Sequence, residues 1–188
     1  MLIRRVGFNL YLVAAFGLFL ISGCKTADKH DEKKQDKKIL STLRLHLEAH
    51  SDPMGRTETA EVYRANPIQF TIDKEPFLSE AQVKEAKVVD VTGGFALQVK
   101  FDRQGSWLLE QYTSANRTKH ILLMSQFVEP GEEKINKGRW LAAPQIKNHI
   151  VDGVLVFTPD ASREEAERIA LGLNHVAKRL ETGKEVKF

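Results

Sequence analysis

The alternation of apolar and polar side chains divides the chain into three stretches: an apolar run from Val6 to Ile21, a polar stretch from Lys25 to Lys38 (KTADKHDEKKQDKK), and short periodic segments from Ile39 onward. The polar stretch mixes both charges and cannot bury enough surface to offset the entropy of ordering, so it reads as a flexible tether over 24–38. Its interleaved acids make it a solvated linker rather than a lipid-binding patch. Order is expected from Ile39. Leu43, Leu45, Leu47 and Ala49 alternate with Arg44, His46, Glu48 and His50, the period of a half-buried strand. Ser51 to Arg56 reads as a turn, and Pro67 to Ile72 as a short strand whose first residue tolerates the missing donor. Ser79 opens a short helix, with Gln82 completing a capping box. Lys87 to Val91 and Phe95 to Phe101 follow as strands, and Gly93-Gly94 between them suits the positive φ of a tight hairpin.

The second half continues the pattern. A helix capped by Ser106 is expected to turn Leu108, Leu109, Tyr112 and Ala115 inward, and Trp107 in its first turn reads as a core aromatic rather than a binding one. Ile121 to Met124 is an apolar strand, Glu129 to Gly138 (EPGEEKINKG) an exposed loop, and Trp140 to Ala143 extended structure before Pro144. Val154 to Phe157 is continuously apolar, as in a strand covered on both faces. The last helix is the best marked. Ser162 and Glu165 form a second capping box, Ala166, Ile169, Ala170, Leu173, Val176, Ala177 and Leu180 make one apolar stripe, and Lys178 and Arg179 sit at the negative end of the dipole.

Hairpin strands with two larger helices and one shorter one define the α+β class. The expected architecture is a mostly antiparallel sheet with two to three helices packed on one face, in a ferredoxin-like split βαβ. The length beyond the tether fits a single domain over 39–188.

Composition changes the picture mainly through one residue. Cys24 is the only cysteine, so no disulfide framework is possible, and it ends the pattern Ile21-Ser22-Gly23-Cys24 behind Arg4, Arg5 and the apolar run. This arrangement resembles a bacterial lipoprotein signal peptide over 1–23 with its lipobox. The resemblance implies cleavage after Gly23 and lipid attachment, diacylglycerol and palmitate-like acyl chains, on Cys24. A transmembrane anchor needs about 20 apolar residues, and the run here is shorter and carries Asn9. Loss of Arg4 and Arg5 with the leader takes the 28 basic side chains to 26, against 25 acidic ones. The mature chain is therefore nearly neutral, with no net charge to gather nucleic acid. Lys25 follows the cysteine where many inner-membrane lipoproteins carry aspartate. By that resemblance the outer membrane is favoured over the inner.

A second resemblance spans about a hundred residues. Leu78-Ser79-Glu80 with Val83 to Ala86, Val99 to Gly105 (VKFDRQG), Thr113 to Asn116 (TSAN), Ala142 to Ile146 (AAPQI), Ile150 to Gly153 (IVDG) and Glu164 to Ala170 (EEAERIA) occur in the order found in the SecD/SecF P1 head subdomain. That subdomain is the first periplasmic domain of the protein-export accessory complex, and the likeness runs over 77–180. Family heads turn tightly where this chain has the Glu129 to Gly138 loop. Past the leader no apolar run resembles SecD's membrane spans, so the resemblance implies fold, periplasmic setting and contact with other polypeptides, not coupling to the proton gradient.

Motifs for catalysis are sparse. The chain has no Gly-x-Ser-x-Gly elbow and no phosphate-binding glycine loop, and its one cysteine is assigned to lipid. Glu132-Glu133 reads as a solvated loop and Glu164-Glu165 as a helix start, not as hydrolytic dyads. His46 and His50, four apart on a strand, lie about 13 Å from each other, too far for a shared ion. His30, His120, His149 and His175 show no ligand spacing and read as surface or boundary residues, and Asn116-Arg117-Thr118 as a helix end rather than a glycosylation triplet. No catalytic, cofactor or metal site is expected, and neither nucleic acid nor a small-molecule substrate. The function expected is a non-enzymatic protein-binding module of the cell envelope, anchored in the membrane through Cys24, facing the periplasm and meeting envelope or exported proteins. A structural envelope lipoprotein without exchangeable clients is the alternative, ahead of a periplasmic enzyme.

Overall fold

The computed structural model describes residues 39–129, 132, 134–183 and 186. Within them the chain forms strands β1 (Arg44–Leu47), β2 (Thr57–Val62), β3 (Ile68–Asp73), β4 (Leu78–Ser79), β5 (Val83–Val91) and β6 (Gly94–Phe101), then helix α1 (Arg103–Ala115). Strands β7 (Ile121–Ser125), β8 (Arg139–Ala142) and β9 (Val154–Phe157) and helix α2 (Arg163–Glu181) follow. All strand pairs are antiparallel and the fold is α+β, as expected. The strands divide into three sheets, ordered β4-β1-β7-β8, β2-β3 and β5-β6-β9.

The four-stranded sheet is covered on both faces. Leu43, Leu45, Leu47, Ile121, Leu123 and Leu141 join the main core with Leu97, Val99, Phe101, Leu155, Phe157, Ile169 and Leu173. On the other face Leu122 packs with Ala60, Val62 and Ile72 of the β2–β3 hairpin. This second cover explains why His46, at a polar position of the β1 alternation, is buried. Strand β1 ends at Leu47, and His50 lies beyond it, exposed.

The β5–β6 hairpin forms as expected. Val91 pairs with Gly94 across a two-residue loop that Gly93 closes at φ +87°, a backbone region glycine enters without steric cost. Four local expectations are corrected. The capping box at Ser79 and Gln82 is present but opens only a 3₁₀ turn, Glu80–Gln82, because β5 begins at once at Val83. A bulge between Val83 and Glu85 breaks the alternation there and hides that start. Helix α1 is capped by Asp102, whose carboxylate accepts from the Gly105 amide at 2.7 Å; Ser106 lies inside the helix and donates to the Asp102 carbonyl. The fully buried residues are Gly105, Leu109 and Thr113, with Leu108 and Tyr112 packed against the core as expected, while Ala115 is exposed and Trp107 60% exposed. In β9 only Leu155 and Phe157 are buried, since among the described residues no layer covers the face carrying Val156. The α2 stripe runs through Ala177, and Leu180 is exposed.

Candidate interaction surface

The β5-β6-β9 sheet has two edges, and the chain treats them differently. In an antiparallel ladder, residues that bond to the neighbour alternate with residues whose N–H and C=O turn away. The Phe101 amide donates to Gly153 at 2.9 Å, and the register continues with Val99 opposite Leu155 and Leu97 opposite Phe157. Those pairs are the bonded ones. Val154 and Val156 of β9 therefore point their backbone groups outward, as Ala86 does on β5, where it lies opposite Val99.

The β5 edge is closed at Ala86 by α2. Asn174 accepts from the Ala86 amide at 2.8 Å and donates to the Ala86 carbonyl at 2.8 Å, so one side-chain amide takes the place of a neighbouring strand's peptide. The start of the helix is clipped to the same hairpin, with Arg163 ion-paired to Asp90 and its guanidinium 5.3 Å from the Phe95 ring centroid. The helix cap is anchored elsewhere too. Ser162 and Glu165 complete their box at 2.7 and 3.1 Å, and Arg139 donates to Glu165 at 3.1 Å. Burial acts to raise the Glu165 pKa, but the hydrogen bonds from Arg139 and the Ser162 amide, with the charges of Arg139 and Arg64, outweigh it and hold the carboxyl below its ordinary range.

The β9 edge has no such cover among the described residues. Asp152 accepts from the Val154 amide at 3.1 Å, and Pro159 past the other end carries no donor. Between them the Val154 carbonyl and both backbone groups of Val156 meet no partner from the described residues. Val156 is 48% exposed and Val151, just before the strand, 61%. The approach to β9 is fixed against α1. Gly153 has φ +66°, and a Cβ there would lie 1.9 Å from the Ser106 hydroxyl, while the Ile150 amide donates to the Thr113 hydroxyl at 3.0 Å. The exposed Trp107 follows Ser106 directly.

The third edge, on β8, is largely occupied. The Asp160 amide donates to the Leu141 carbonyl at 2.6 Å, and Tyr63 reaches Ala143 from the β2–β3 hairpin. At the stem beside β8 the Asn136 amide donates to the Phe127 carbonyl at 2.9 Å and Asn136 Oδ1 accepts from the Phe127 amide.

The other candidates from the sequence scatter. Cys24 and Gly23 lie outside the described residues, as does His30. Glu165 is the third helical residue, bonded back to the Ser162 cap, rather than half of a dyad, and Glu164 reaches toward Arg168 at 4.0 Å. His46 donates from Nδ1 to the Asp73 carbonyl at 2.8 Å, with its ring edge-on to Trp140 at 5.3 Å, and burial lowers its pKa. His120 donates to Glu48 at 2.6 Å. Burial would raise the Glu48 pKa, but that bond and the His120 amide lower it overall. Among the described residues no group of three or more His, Cys, Asp or Glu is placed to hold a metal, and no helix is long and apolar enough to cross a membrane. The hydrophobic pattern could have located the open edge only through Val156, whose exposure reverses the reading of β9 as doubly covered.

The class the fold defines is an antiparallel α+β domain, with one sheet edge lined by a helix and another free among the described residues. The chain belongs to the SecDF P1 head subdomain family, whose model matches residues 57–177. Among solved structures, it is similar to a SecDF described as a membrane component that enhances protein export, at 21% identity and TM-score 0.51 over 82% of this chain and 71% of that one. It is also similar to SecDF in a super-membrane-facing form, at 20% identity and TM-score 0.52 over 81% of this chain and 21% of that one. The chain thus spans about a fifth of the latter protein. No curated protein matches it.

Proposed function

We propose that this protein is a non-enzymatic protein-interaction module of the cell envelope, linked to protein export and facing the periplasm. The observation that carries the reading is the family match over 57–177, taken with the description of its structural relative as a component that enhances protein export. The anchor in this reading is lipid on Cys24 after cleavage behind Gly23, supported by Arg4, Arg5, the apolar run and the Ile21-Ser22-Gly23-Cys24 pattern. The tether over 24–38 then carries the 39–188 domain off the membrane surface, the outer membrane by the Lys25 criterion. Two or three acyl chains hold such a protein nearly permanently, at about 0.8 kcal/mol per buried methylene.

Two measurements test this. The intact mass of protein extracted from membranes is expected to show loss of Met1 to Gly23 and gain of acyl chains, both abolished by Cys24→Ser; a wild-type protein that keeps its leader refutes the anchor. Pulse-labelling a secreted reporter in cells lacking the protein is expected to show slowed processing, restored by the wild-type gene. Unchanged export kinetics, together with a fixed stoichiometric complex in detergent extracts, would instead establish the structural lipoprotein.

A further inference from the structure

Resting on the reading of this chain as a module that meets exported polypeptides, we propose that the free edge of β9 is where it holds them. An unfolded segment adds there as an extended strand, bonding to the Val154 carbonyl and to both backbone groups of Val156. The argument begins with what the edge asks for. Outward groups recur at every second residue, about 6.6 Å apart along a strand, and only another extended backbone meets them in series. The chemistry is independent of side chains, which suits a partner presented in many sequences.

The edge is also bounded. Asp152 already holds the Val154 amide, and Pro159 ends the run, so the guest is confined to a short window. Few bonds over a short window give weak, reversible holding, which transit of a polypeptide requires. Strands meant to stay unpaired are very short or carry lysine, proline or a bulge within them. Val154–Phe157 is short, but it has no lysine, proline or bulge, and its exposed side chain is apolar Val156. On the opposite edge the same fold spends an asparagine and a whole helix on closure.

A second copy of the chain fits less well. The antiparallel register centred on Val156, which uses the whole of the window from Val154 to Thr158, sets Asp152 against Asp160 of the other copy at both ends. Like charges opposed across a ladder destabilise it.

The test uses the full lipidated protein in detergent micelles, titrated with reduced and carboxymethylated α-lactalbumin as a permanently unfolded chain. Saturable binding is expected, with slowed hydrogen exchange over 154–158 in the complex. Val156→Pro removes only an outward N–H and is expected to weaken binding about tenfold with an unchanged melting temperature. Should that variant melt lower, the exchange measurement on the wild type decides. Equal binding by wild type and Val156→Pro overturns the site while leaving the reading of function intact; absence of any binding by the wild type removes both. Protection of the Val156 amide before the probe is added also overturns the site, since the tether or a second copy would then occupy it.

Discussion

The two edges of the β5-β6-β9 sheet carry the same backbone chemistry, yet one is answered at Ala86 by a helix and the other has no cover among the described residues. On β5, Ala86 has its amide and carbonyl answered by Asn174, and α2 lies against the strand with Ile169 and Leu173 in the core. On β9, Val156 has neither an answering side chain nor a covering layer among the described residues. Stability and availability are thus assigned to opposite sides of one sheet. The closed side can be damaged by mutation, whereas changes to the open side should alter partners more than folding.

The largest effect is expected from Ile169→Asp. Ile169 is fully buried on the α2 face that seals β5, and a carboxylate there has no partner. A loss of about 4 kcal/mol is expected, read by urea denaturation. Unchanged stability would mean that this helix face does not bear on the core.

Asn174→Ala should cost about 2 kcal/mol, because the Ala86 amide and carbonyl lose both bonds in a partly buried place. Hydrogen exchange at Ala86 is expected to rise toward the rate at Val156, converting the closed edge into a second open one. If exchange at Ala86 stays slow, packing of α2 alone seals the strand.

Acid should discriminate between the edges as well. Glu165, which fixes the start of α2, has a pKa held below its ordinary 4.5, and Glu48 behaves likewise. Their contribution is present above the unfolded value and is lost as pH falls through the folded one. His46 is depressed from 6.5 by burial, so its neutral form favours the fold and stability declines once pH drops below that value. All three shifts run the same way. Melting temperature is expected to fall from neutral pH downward, first through His46 and then through the carboxylates. Glu165→Gln should be less stable at neutral pH and show a flatter decline below pH 4.5, whereas β9, with no titratable side chain, contributes nothing to the slope.

Much of the closed side was legible in the sequence. Ser162 and Glu165 announced the start of α2, and the spacing from Ala166 to Ala177 gave its buried face. The β5–β6 hairpin could be read from Gly93-Gly94 and the alternation of Phe95, Leu97, Val99 and Phe101. What could not be read depended on tertiary partners. The burial of His46 requires the β2–β3 hairpin, and β2 itself, TETAEV, has few apolar residues to mark it. The family match accordingly begins at Thr57, ahead of the Phe77 at which the sequence likeness starts. Trp107 was misread because the buried stripe runs through Gly105, Leu109 and Thr113, and at about 100° per residue Trp107 falls on the opposite side of the helix. The open edge was invisible for a related reason. A run such as VLVF is the same whether one face or both are covered, and only the register and the absence of a neighbour tell them apart.

The smallest expected effect on folding sharpens the comparison most. Val156→Lys places a charge on a side chain that is already 48% exposed and leaves every bond between β9 and β6 in place. Its cost should stay within about 0.5 kcal/mol, as for surface changes elsewhere. Lysine on an edge strand is also a device by which proteins repel unwanted strand partners. The variant should therefore melt like the wild type while accepting an added strand less readily, read as weaker binding of an unfolded polypeptide. A loss of stability comparable to that of Asn174→Ala would mean that β9 is covered after all, and that the sheet has two closed edges rather than one.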